Sequence, residues 1–323
     1  MWSQLLVGPG RFERILLVRP RADDLGPGQV LLRTIAGGLC GSDRPYFLGA
    51  PNPWSKAPGT RHADAGFPLH EVVGEVLASR DPELAVGSVA VGWATGFDGL
   101  AELVVTDGAS LWPFDPAHRD PVDAVLLQPL ACVLYAAERL GDLTGARCAV
   151  IGLGSIGLLF ASVLKARGAA SVAGVDRVDR STEAGRAGVD DFAWASSEAW
   201  ATSPPHRAAY DVVVEAVGHQ TLTLQHALDA VAEQGRVFYF GVPDEPTYPI
   251  DMNAMVRKHL TLLAGGTHER RRMLREAGDH LDAHPHLVST LVSHRFSMTD
   301  AQEAYDLAFL STTARLKVVV TAS

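Results

Sequence analysis

Residues 150–157 read VIGLGSIG and carry three glycines, Gly152, Gly154 and Gly157, in the spacing G-x-G-x-x-G. An apolar run typical of a buried strand precedes them, and apolar residues at helical spacing follow. In this context the first glycine permits a tight turn, the second lets the backbone approach a pyrophosphate, and the third lets the helix pack on the strand. The stretch therefore predicts the first strand and helix of a dinucleotide-binding domain.

The residues around these glycines indicate which dinucleotide binds. Ser155 and Ile156 open the predicted helix, whose free N–H groups favour phosphate binding. Asp176 follows Gly157 by 19 residues, at the end of the next predicted strand. A carboxylate there accepts the ribose hydroxyls and repels a 2′-phosphate, which favours NAD over NADP. Arg177 and Arg180 favour NADP, because either side chain could bind that phosphate.

Strands and helices alternate after this motif, and the apolar strands are nearly continuous, which predicts a doubly wound parallel sheet covered on both faces, an α/β Rossmann domain. The predicted strands are 148–151, 171–175, 211–217, 236–240 and 260–266, and the predicted helices are 123–140, 156–167, 221–232 and 252–258. The first third has short apolar runs between Gly, Pro and Asp turns, as in a mainly β domain. Residues 50–68 and 196–207 are predicted to be irregular.

Chain length, cysteine content and net charge limit the class of protein. A chain of 323 residues is long for one core, so two domains are expected. Three cysteines far apart suit a reducing compartment. No basic segment followed by an apolar run opens the chain, and no run approaches the length of a membrane helix. A formal charge of −9 does not favour nucleic acid. We expect a cytoplasmic enzyme with a small-molecule substrate and without nucleic-acid or membrane partners.

A second group of candidate residues lies in the first third. Residues 36–45 read AGGLCGSDRP, and residues 68–76 read PLHEVVGEV. Cys40 and His70 are good zinc ligands, although Cys40 alone would also suit a core thiol or a nucleophile. Asp43 could hydrogen-bond a ligating histidine and fix its tautomer. Glu71 is either a ligand or a buried charge near the metal.

These motifs, together with QPLA at 128–131, resemble the zinc-dependent medium-chain dehydrogenase/reductase (alcohol dehydrogenase) family. The resemblance is greatest to its polyol, sorbitol and threonine dehydrogenase branch. It implies a GroES-like catalytic domain formed by residues 1–130 and 268–323 and an NAD(P)-binding Rossmann domain over residues 131–267. It also implies zinc-assisted hydride transfer between a secondary alcohol and a ketone on a polyol, sugar, cyclitol or amino alcohol. A homodimer or homotetramer is expected.

The resemblance also assigns roles to residues. Cys40 and His70 fall on zinc-ligand positions, Glu71 beside the metal, Ser42 on a proton-relay hydroxyl and Asp43 on the acid behind the histidine. The cofactor positions implied by the resemblance are Val217, Gly218, Phe240, Gly241 and Val242 at the nicotinamide, and Lys317 at the pyrophosphate.

Three departures from the family pattern stand out. Gln128 replaces a zinc-ligating glutamate, so the fourth ligand would be Gln128 or water, with Cys132 one helical turn away as a less favoured substitute. The four-cysteine lobe that holds a structural zinc is absent, so one catalytic zinc at most is expected. Leu69 replaces the glycine before His-Glu.

The departures keep other interpretations open. One is a zinc-independent medium-chain reductase of the quinone- or enoyl-reductase kind, and another is a non-catalytic NAD(P)-binding protein. His62 is either an exposed loop histidine or a spare ligand. The run HERRRMLRE at 268–276 is predicted to form a solvated helix face.

Overall fold

The computed structural model describes residues 1–53, 55, 64–243 and 245–322. His62 lies outside these residues, and so do residues 54 and 56–63 of the stretch 50–68 that was predicted to be irregular. The described chain divides into two compact units. Unit 1 comprises Met1–Ala131, Glu269–His284 and Val292–Ser323, and unit 2 comprises Cys132–His268 and Pro285–Leu291.

The strands and helices are numbered in chain order. The strands are β1 (Trp2–Gly8), β2 (Arg11–Leu16), β3 (Gln29–Gly38), β4 (Glu71–Ser79), β5 (Val89–Trp93), β6 (Leu103–Asp107), β7 (Leu111–Phe114), β8 (Arg147–Ile151), β9 (Ser171–Asp176), β10 (Asp191–Trp194), β11 (Tyr210–Glu215), β12 (Val231–Tyr239), β13 (Thr261–Ala264), β14 (Val292–Ser297) and β15 (Lys317–Thr321). The helices are α1 (Arg44–Phe47), α2 (Leu127–Leu140), α3 (Ser155–Ala166), α4 (Ser181–Arg186), α5 (Ser197–Thr202), α6 (Thr223–Ala230), α7 (Met252–Arg257), α8 (Arg270–Ala283), α9 (His286–Leu291) and α10 (Ala301–Ala308).

Unit 1 is mainly β. Its large sheet has the order β14-β15-β3-β4-β5-β7, with β6 paired to β3, and β1 pairs with β2 in a separate hairpin. The C-terminal strand β15 runs antiparallel to β3, with Val319 opposite Gly38, so the chain ends beside the strand that precedes Cys40. Alternate residues of the central strands, such as Val72 and Val76, are buried in one apolar cluster with Leu32. The other face of these strands is also covered, since Val73 and Leu31 are buried as well.

Unit 2 is the predicted doubly wound domain. Its six strands are all parallel in the order β10-β9-β8-β11-β12-β13. The strand order runs outward from β8 in both directions, so β8 and β11 are neighbours at the topological switch point. In sheets of this type, ligands bind at the carboxyl ends of the strands at that point. Val150 and Val213 are fully buried, as expected of strands covered on both faces. The predicted fold class is confirmed.

Several boundaries differ from the prediction. The stretch 196–207, predicted to be irregular, contains α5, because the Ser196 hydroxyl caps this helix by accepting the Ala199 N–H at 3.2 Å. The helix predicted over 221–232 ends at Ala230, because Val231 is already in β12 and pairs with Tyr210 of β11. Residues 285–291 group with unit 2, where α9 contacts α4, although the sequence assigns them to the first domain.

The basic run at 268–276 is not simply a solvated helix face, and this expectation was wrong. The Arg271 guanidinium binds the Asp81 carboxylate at 2.6 Å and the carbonyl oxygens of Gly108 and Leu111 at 2.6 and 2.9 Å. Arg270 lies 5.0 Å over the ring of buried Trp93. The arginines thus fix α8 on the sheet of unit 1. None of the helices in the described parts of the chain combines the length and the apolar character needed to cross a bilayer.

Candidate active site

The strand ends of unit 1 bring the predicted ligands together. Gly38, the last residue of β3, pairs with Glu71, the first residue of β4, so Cys40 just beyond one strand meets His70 just before the other. The Cys40 Sγ, a His70 ring nitrogen and a Glu71 carboxylate oxygen lie within 4.8 Å of one another. His70 and Glu71 are buried, and Cys40 is half-buried. This separation is compatible with a shared metal ion.

Asp43 lies behind the histidine. It follows Cys40 in a short 3-10 turn, Gly41–Asp43, and its carboxylate is fully buried. Asp43 Oδ1 lies 2.9 Å from His70 Nδ1, and Oδ2 accepts the Cys40 N–H at 2.9 Å. Burial by itself lowers the pKa of His70, but the Asp43 carboxylate and the hydrogen bond with Cys40 outweigh it and hold that pKa well above its usual value. With Nδ1 engaged, Nε2 is the nitrogen that could bind a metal.

Lys317 pairs with Glu71. Its buried ammonium donates to Glu71 Oε1 at 2.7 Å and to the Leu39 carbonyl at 3.0 Å, and it lies 2.5 Å from Glu71 Oε2. Burial lowers the pKa of Lys317, but the adjacent Glu71 carboxylate leads the effects that raise it by more. Burial raises the pKa of Glu71 and the Lys317 charge opposes that rise. The structure thus places Lys317 beside the candidate metal ligands, and its contact with the pyrophosphate stays a prediction.

A glycine makes this close packing possible. A Cβ on Gly38 would lie 2.1 Å from Glu71 Oε2 and 2.4 Å from Val125 Cγ1. Val125 belongs to the 3-10 turn Asp123–Leu126, which contacts β3, β4 and β5. Gln128, the predicted fourth ligand, is buried in the first turn of α2. Helix α2 begins directly after the 3-10 turn that contacts these strands. Ser42 lies half-buried between Cys40 and Asp43.

Phe97 packs against the histidine and Tyr46 packs against Phe97, and sequence reasoning missed both. The rings of His70 and Phe97 are 4.6 Å apart, and Tyr46 contacts Phe97 at 6.4 Å. Phe97 has φ +56°, which a non-glycine residue rarely adopts. Two hydrogen bonds of 2.9 Å hold it, one to Ala94 O and one from Leu69 N. No motif marks this turn, because it stands where the four-cysteine lobe of the resembled family is missing.

The glycine motif of unit 2 has the predicted conformation. Gly152 has φ +91°, and a Cβ on Gly157 would lie 1.8 Å from the Gly152 carbonyl oxygen. Gly154 is the N-cap of α3, so Ser155 and Ile156 form its first turn, where backbone N–H groups lack helical partners. Only glycine permits this tight contact between the turn and the helix.

Asp176 ends β9 beside this motif. Its Oδ2 accepts the Leu153 N–H at 2.7 Å and its Oδ1 accepts the Val178 N–H at 2.8 Å, so the carboxylate also fixes the glycine turn. Arg180 is buried, and burial lowers its pKa against the opposing charge of Asp176. Arg177 is exposed.

The loops predicted to contact the nicotinamide follow neighbouring strands. Val217 and Gly218 lie after β11, and Phe240, Gly241 and Val242 lie after β12. These loops touch, since the His219 N–H donates to the Val242 carbonyl at 3.0 Å. The buried carboxylate of Glu215 lies beneath both, and no motif in the sequence marks it.

Comparisons with known proteins identify the family. A family model described as "Glucose dehydrogenase C-terminus" matches residues 124–321, more than half of the chain. The chain belongs to this family. Its relatives place it among the zinc-dependent medium-chain dehydrogenases, which confirms the resemblance read from the motifs.

The individual matches extend over most of the protein. D-altritol 5-dehydrogenase of Agrobacterium fabrum is 28% identical over 324 residues, which cover 89% of this chain and 90% of that one. L-threonine 3-dehydrogenase of Bacillus licheniformis is 27% identical over 213 residues, 64% of this chain and 60% of that one. The alcohol dehydrogenase TADH from Thermus sp. ATN1 has the same fold, with a TM-score of 0.82 at 23% identity and complete coverage of both chains.

Proposed function

We propose that this medium-chain dehydrogenase interconverts a secondary alcohol and a ketone on a polar small molecule, with NAD(P) as the hydride carrier and one zinc ion at Cys40, His70 and Glu71. The observation that carries the proposal is the arrangement of these three side chains within 4.8 Å, with His70 oriented by Asp43. The names of the relatives, an altritol and a threonine dehydrogenase, support a hydroxylated substrate such as a polyol, sugar, cyclitol or amino alcohol.

The donor set fits zinc. A thiolate, an imidazole nitrogen and a carboxylate oxygen are the ligand types that Zn²⁺ takes in proteins, and a catalytic site leaves a position for substrate. Cys40, His70 and Glu71 would hold the ion, with Gln128 or water as the fourth ligand. Bound there, zinc supplies Lewis-acid polarisation of the substrate oxygen.

The chain's own residues handle the proton and the surroundings. Ser42 is half-buried beside Cys40, and its hydroxyl would take the substrate proton and pass it to solvent. Asp43 keeps His70 in one tautomer and one orientation. Phe97 and Tyr46 would shield the site from water on the side of the His70 ring.

Unit 2 would bind the cofactor, which would supply hydride-transfer chemistry, and unit 1 would bind the substrate. The glycine turn and the first turn of α3 would receive the pyrophosphate. Asp176 would bind the adenosine ribose, which favours NAD. Arg180 is buried against Asp176, so NADP binding would depend mainly on exposed Arg177.

The first test is metal content with NAD-linked oxidation of a panel of polyols and amino alcohols, before and after a chelator. We expect near-stoichiometric zinc and activity that the chelator abolishes. Cys40→Ala should lose both and still bind NADH, whereas the matched variant Cys132→Ala should keep both. Binding of NADH without turnover of any alcohol or ketone would instead indicate a non-catalytic NAD(P)-binding protein.

Gln128 favours a second candidate, a zinc-independent reductase, because an amide is a poorer zinc ligand than the carboxylate of the resembled family. That candidate predicts purified protein without zinc and reductase activity that a chelator leaves intact.

We also propose that the enzyme is a cytoplasmic homodimer or homotetramer. β13 is an edge strand of the sheet in unit 2, and an edge strand offers unpaired backbone groups to a second copy. Light scattering on the purified protein gives the oligomeric state, and a monomer would contradict this part of the proposal.

A further inference from the structure

Glu215 connects two loops through one side chain and one carbonyl. Its Oε1 accepts the N–H groups of Val217 at 3.1 Å and Gly218 at 3.2 Å. Its carbonyl oxygen accepts the N–H groups of Phe240 at 2.9 Å and Gly241 at 3.3 Å. The residue is fully buried at the carboxyl end of β11. Glu215 therefore anchors the loop after β11 and the loop after β12 together.

The two loops also pack against each other at their glycines. Gly218 has φ +60°, and a Cβ on Gly241 would lie 2.3 Å from the Gly218 N and Cα atoms. The same Cβ would lie 2.6 Å from Glu215 Oε2. The loops and the carboxylate thus form one closely packed set, and replacing the Glu215 side chain would remove the acceptor that the Val217 and Gly218 N–H groups share.

The surroundings of Glu215 indicate that its carboxylate has a structural role. Burial raises the pKa of Glu215, and hydrogen bonds from Thr223, Gly218 and Val217 oppose that rise. A buried acid is costly unless such donors satisfy it. Hydrogen bonds from backbone N–H groups to a carboxylate are among the stronger ones in proteins, so they hold a loop more rigidly than neutral contacts.

We propose that Glu215 is a positioning residue that fixes both loops in the conformation that receives the nicotinamide half of the cofactor. This inference rests on the proposed function. Glu215 pairs with Ile151, the residue before the glycine motif, so the loops rise from the switch point where ligands bind in this type of sheet. The glycine turn and Asp176, which would hold the adenosine half, have separate hydrogen bonds.

The two halves of the cofactor provide the test. Full-length wild type, Glu215→Ala and Glu215→Gln are titrated with NADH and with ADP-ribose, which lacks the nicotinamide. We expect Glu215→Ala to weaken NADH binding about tenfold, or about 1.4 kcal/mol, with ADP-ribose binding unchanged. Glu215→Gln keeps an acceptor oxygen and should recover most of the loss. Exposed Glu233 lies in β12, and Glu233→Ala is the matched control that should bind both ligands normally.

A second variant keeps the inference testable if Glu215→Ala does not fold. Gly241→Ala forces a methyl group against Gly218 and should show the same selective loss of NADH affinity. Equal weakening of NADH and ADP-ribose, or unchanged NADH binding in Gly241→Ala and in any folded Glu215→Ala, would overturn the role of Glu215. Wild type that binds neither ligand would overturn the proposed function as well.

Discussion

The carboxylate of Asp43 contacts both His70 and Cys40, with Oδ1 2.9 Å from His70 Nδ1 and Oδ2 2.9 Å from the Cys40 backbone nitrogen. One buried acid therefore orients the two candidate ligands that come from different strands. A metal ligand held in this way is preorganised, and a supporting hydrogen bond of this kind affects metal affinity strongly.

We predict that Asp43→Asn weakens zinc binding by roughly 10- to 100-fold. The asparagine amide can donate to Nδ1, which would place the ring proton on Nε2 and block that nitrogen as a ligand. The measurement is competition for zinc against a chromophoric chelator. Asp115→Asn is the control, because Asp115 also contacts a histidine, His118 at 2.7 Å, but both are exposed. Equal zinc affinity in the two variants would show that Asp43 does not support the metal site.

We predict that Lys317 and Glu71 depend strongly on each other in their contributions to the free energy of unfolding. Lys317→Met leaves the Glu71 carboxylate buried without its ammonium, which should cost roughly 3–5 kcal/mol of unfolding free energy. Lys317→Met combined with Glu71→Gln removes both charges and should recover much of this loss. Chemical denaturation of the metal-free protein measures each value, so zinc does not contribute.

An exposed pair provides the comparison. Arg11 and Glu13 are 3.5 Å apart with side chains 71% and 60% exposed, and Arg11→Met should cost about 1 kcal/mol or less. A similarly small effect of Lys317→Met would mean that solvent reaches Glu71 and Lys317 in solution.

The sequence predicts those features of the fold that depend on a local residue pattern. The glycine spacing at 150–157 and the apolar runs that became β8, β9 and β11 are properties of short windows, and the structure has them at nearly the predicted residues. The neighbouring strand ends that join Cys40, His70 and Glu71 were predicted through motif resemblance, and the structure places these side chains together.

Pairing between distant residues was not accessible from the sequence. Lys317 is 246 residues from Glu71, and no spacing rule relates them, so the sequence did not predict that they pair. Glu215 lies inside the predicted strand 211–217 and drew no prediction, because its contacts arise only when the loops after β11 and β12 close over it. Strand β14 was missed for the same reason, since its His and Arg residues show little apolar pattern and its pairing with β15 defines it.

A third prediction concerns the glycine motif. Gly157→Ala should abolish measurable NADH binding, because its methyl group would lie 1.8 Å from the Gly152 carbonyl and would push the turn away from α3. Gly185→Ala, in α4, is the control. Its Cβ would meet no atom within 4 Å, so this variant should bind normally and gain up to about 1 kcal/mol in stability. Titration with NADH and thermal unfolding distinguish the two.

A fourth prediction concerns pH. Arg147 donates to Asp211 through its backbone N–H at 2.8 Å and its guanidinium at 2.9 and 3.2 Å, and these bonds lower the pKa of Asp211. A carboxyl whose folded pKa is depressed adds stability above its unfolded pKa, about 4, and loses it as pH falls through the folded value. The pair is substantially exposed, so we expect a gap of about 1 kcal/mol or less between wild type and Asp211→Asn at pH 7.

Denaturation at a series of pH values measures this gap. It should stay constant above about pH 6, begin to shrink near pH 4 and close as pH falls through the lowered folded pKa of Asp211, where the protonated carboxyl resembles the amide. Arg147→Met should follow the same pH course. A gap that widens on acidification would contradict the expected stabilisation by ionised Asp211.

The last prediction concerns the choice between NAD and NADP. Asp176 has two tasks in the structure, because its oxygens accept the Leu153 and Val178 N–H groups and its charge lies where the adenosine ribose is proposed to bind. Asp176→Ala would remove both, so a loss of NAD affinity would not identify the cause. Asp176→Asn keeps an acceptor for the turn and removes the charge that repels a 2′-phosphate. We expect wild type to prefer NAD and Asp176→Asn to lose at least about 1.4 kcal/mol, or tenfold, of that preference. Initial rates with NAD and NADP give the ratio of kcat/KM values. A wild type that already prefers NADP would show that Arg177 outweighs Asp176.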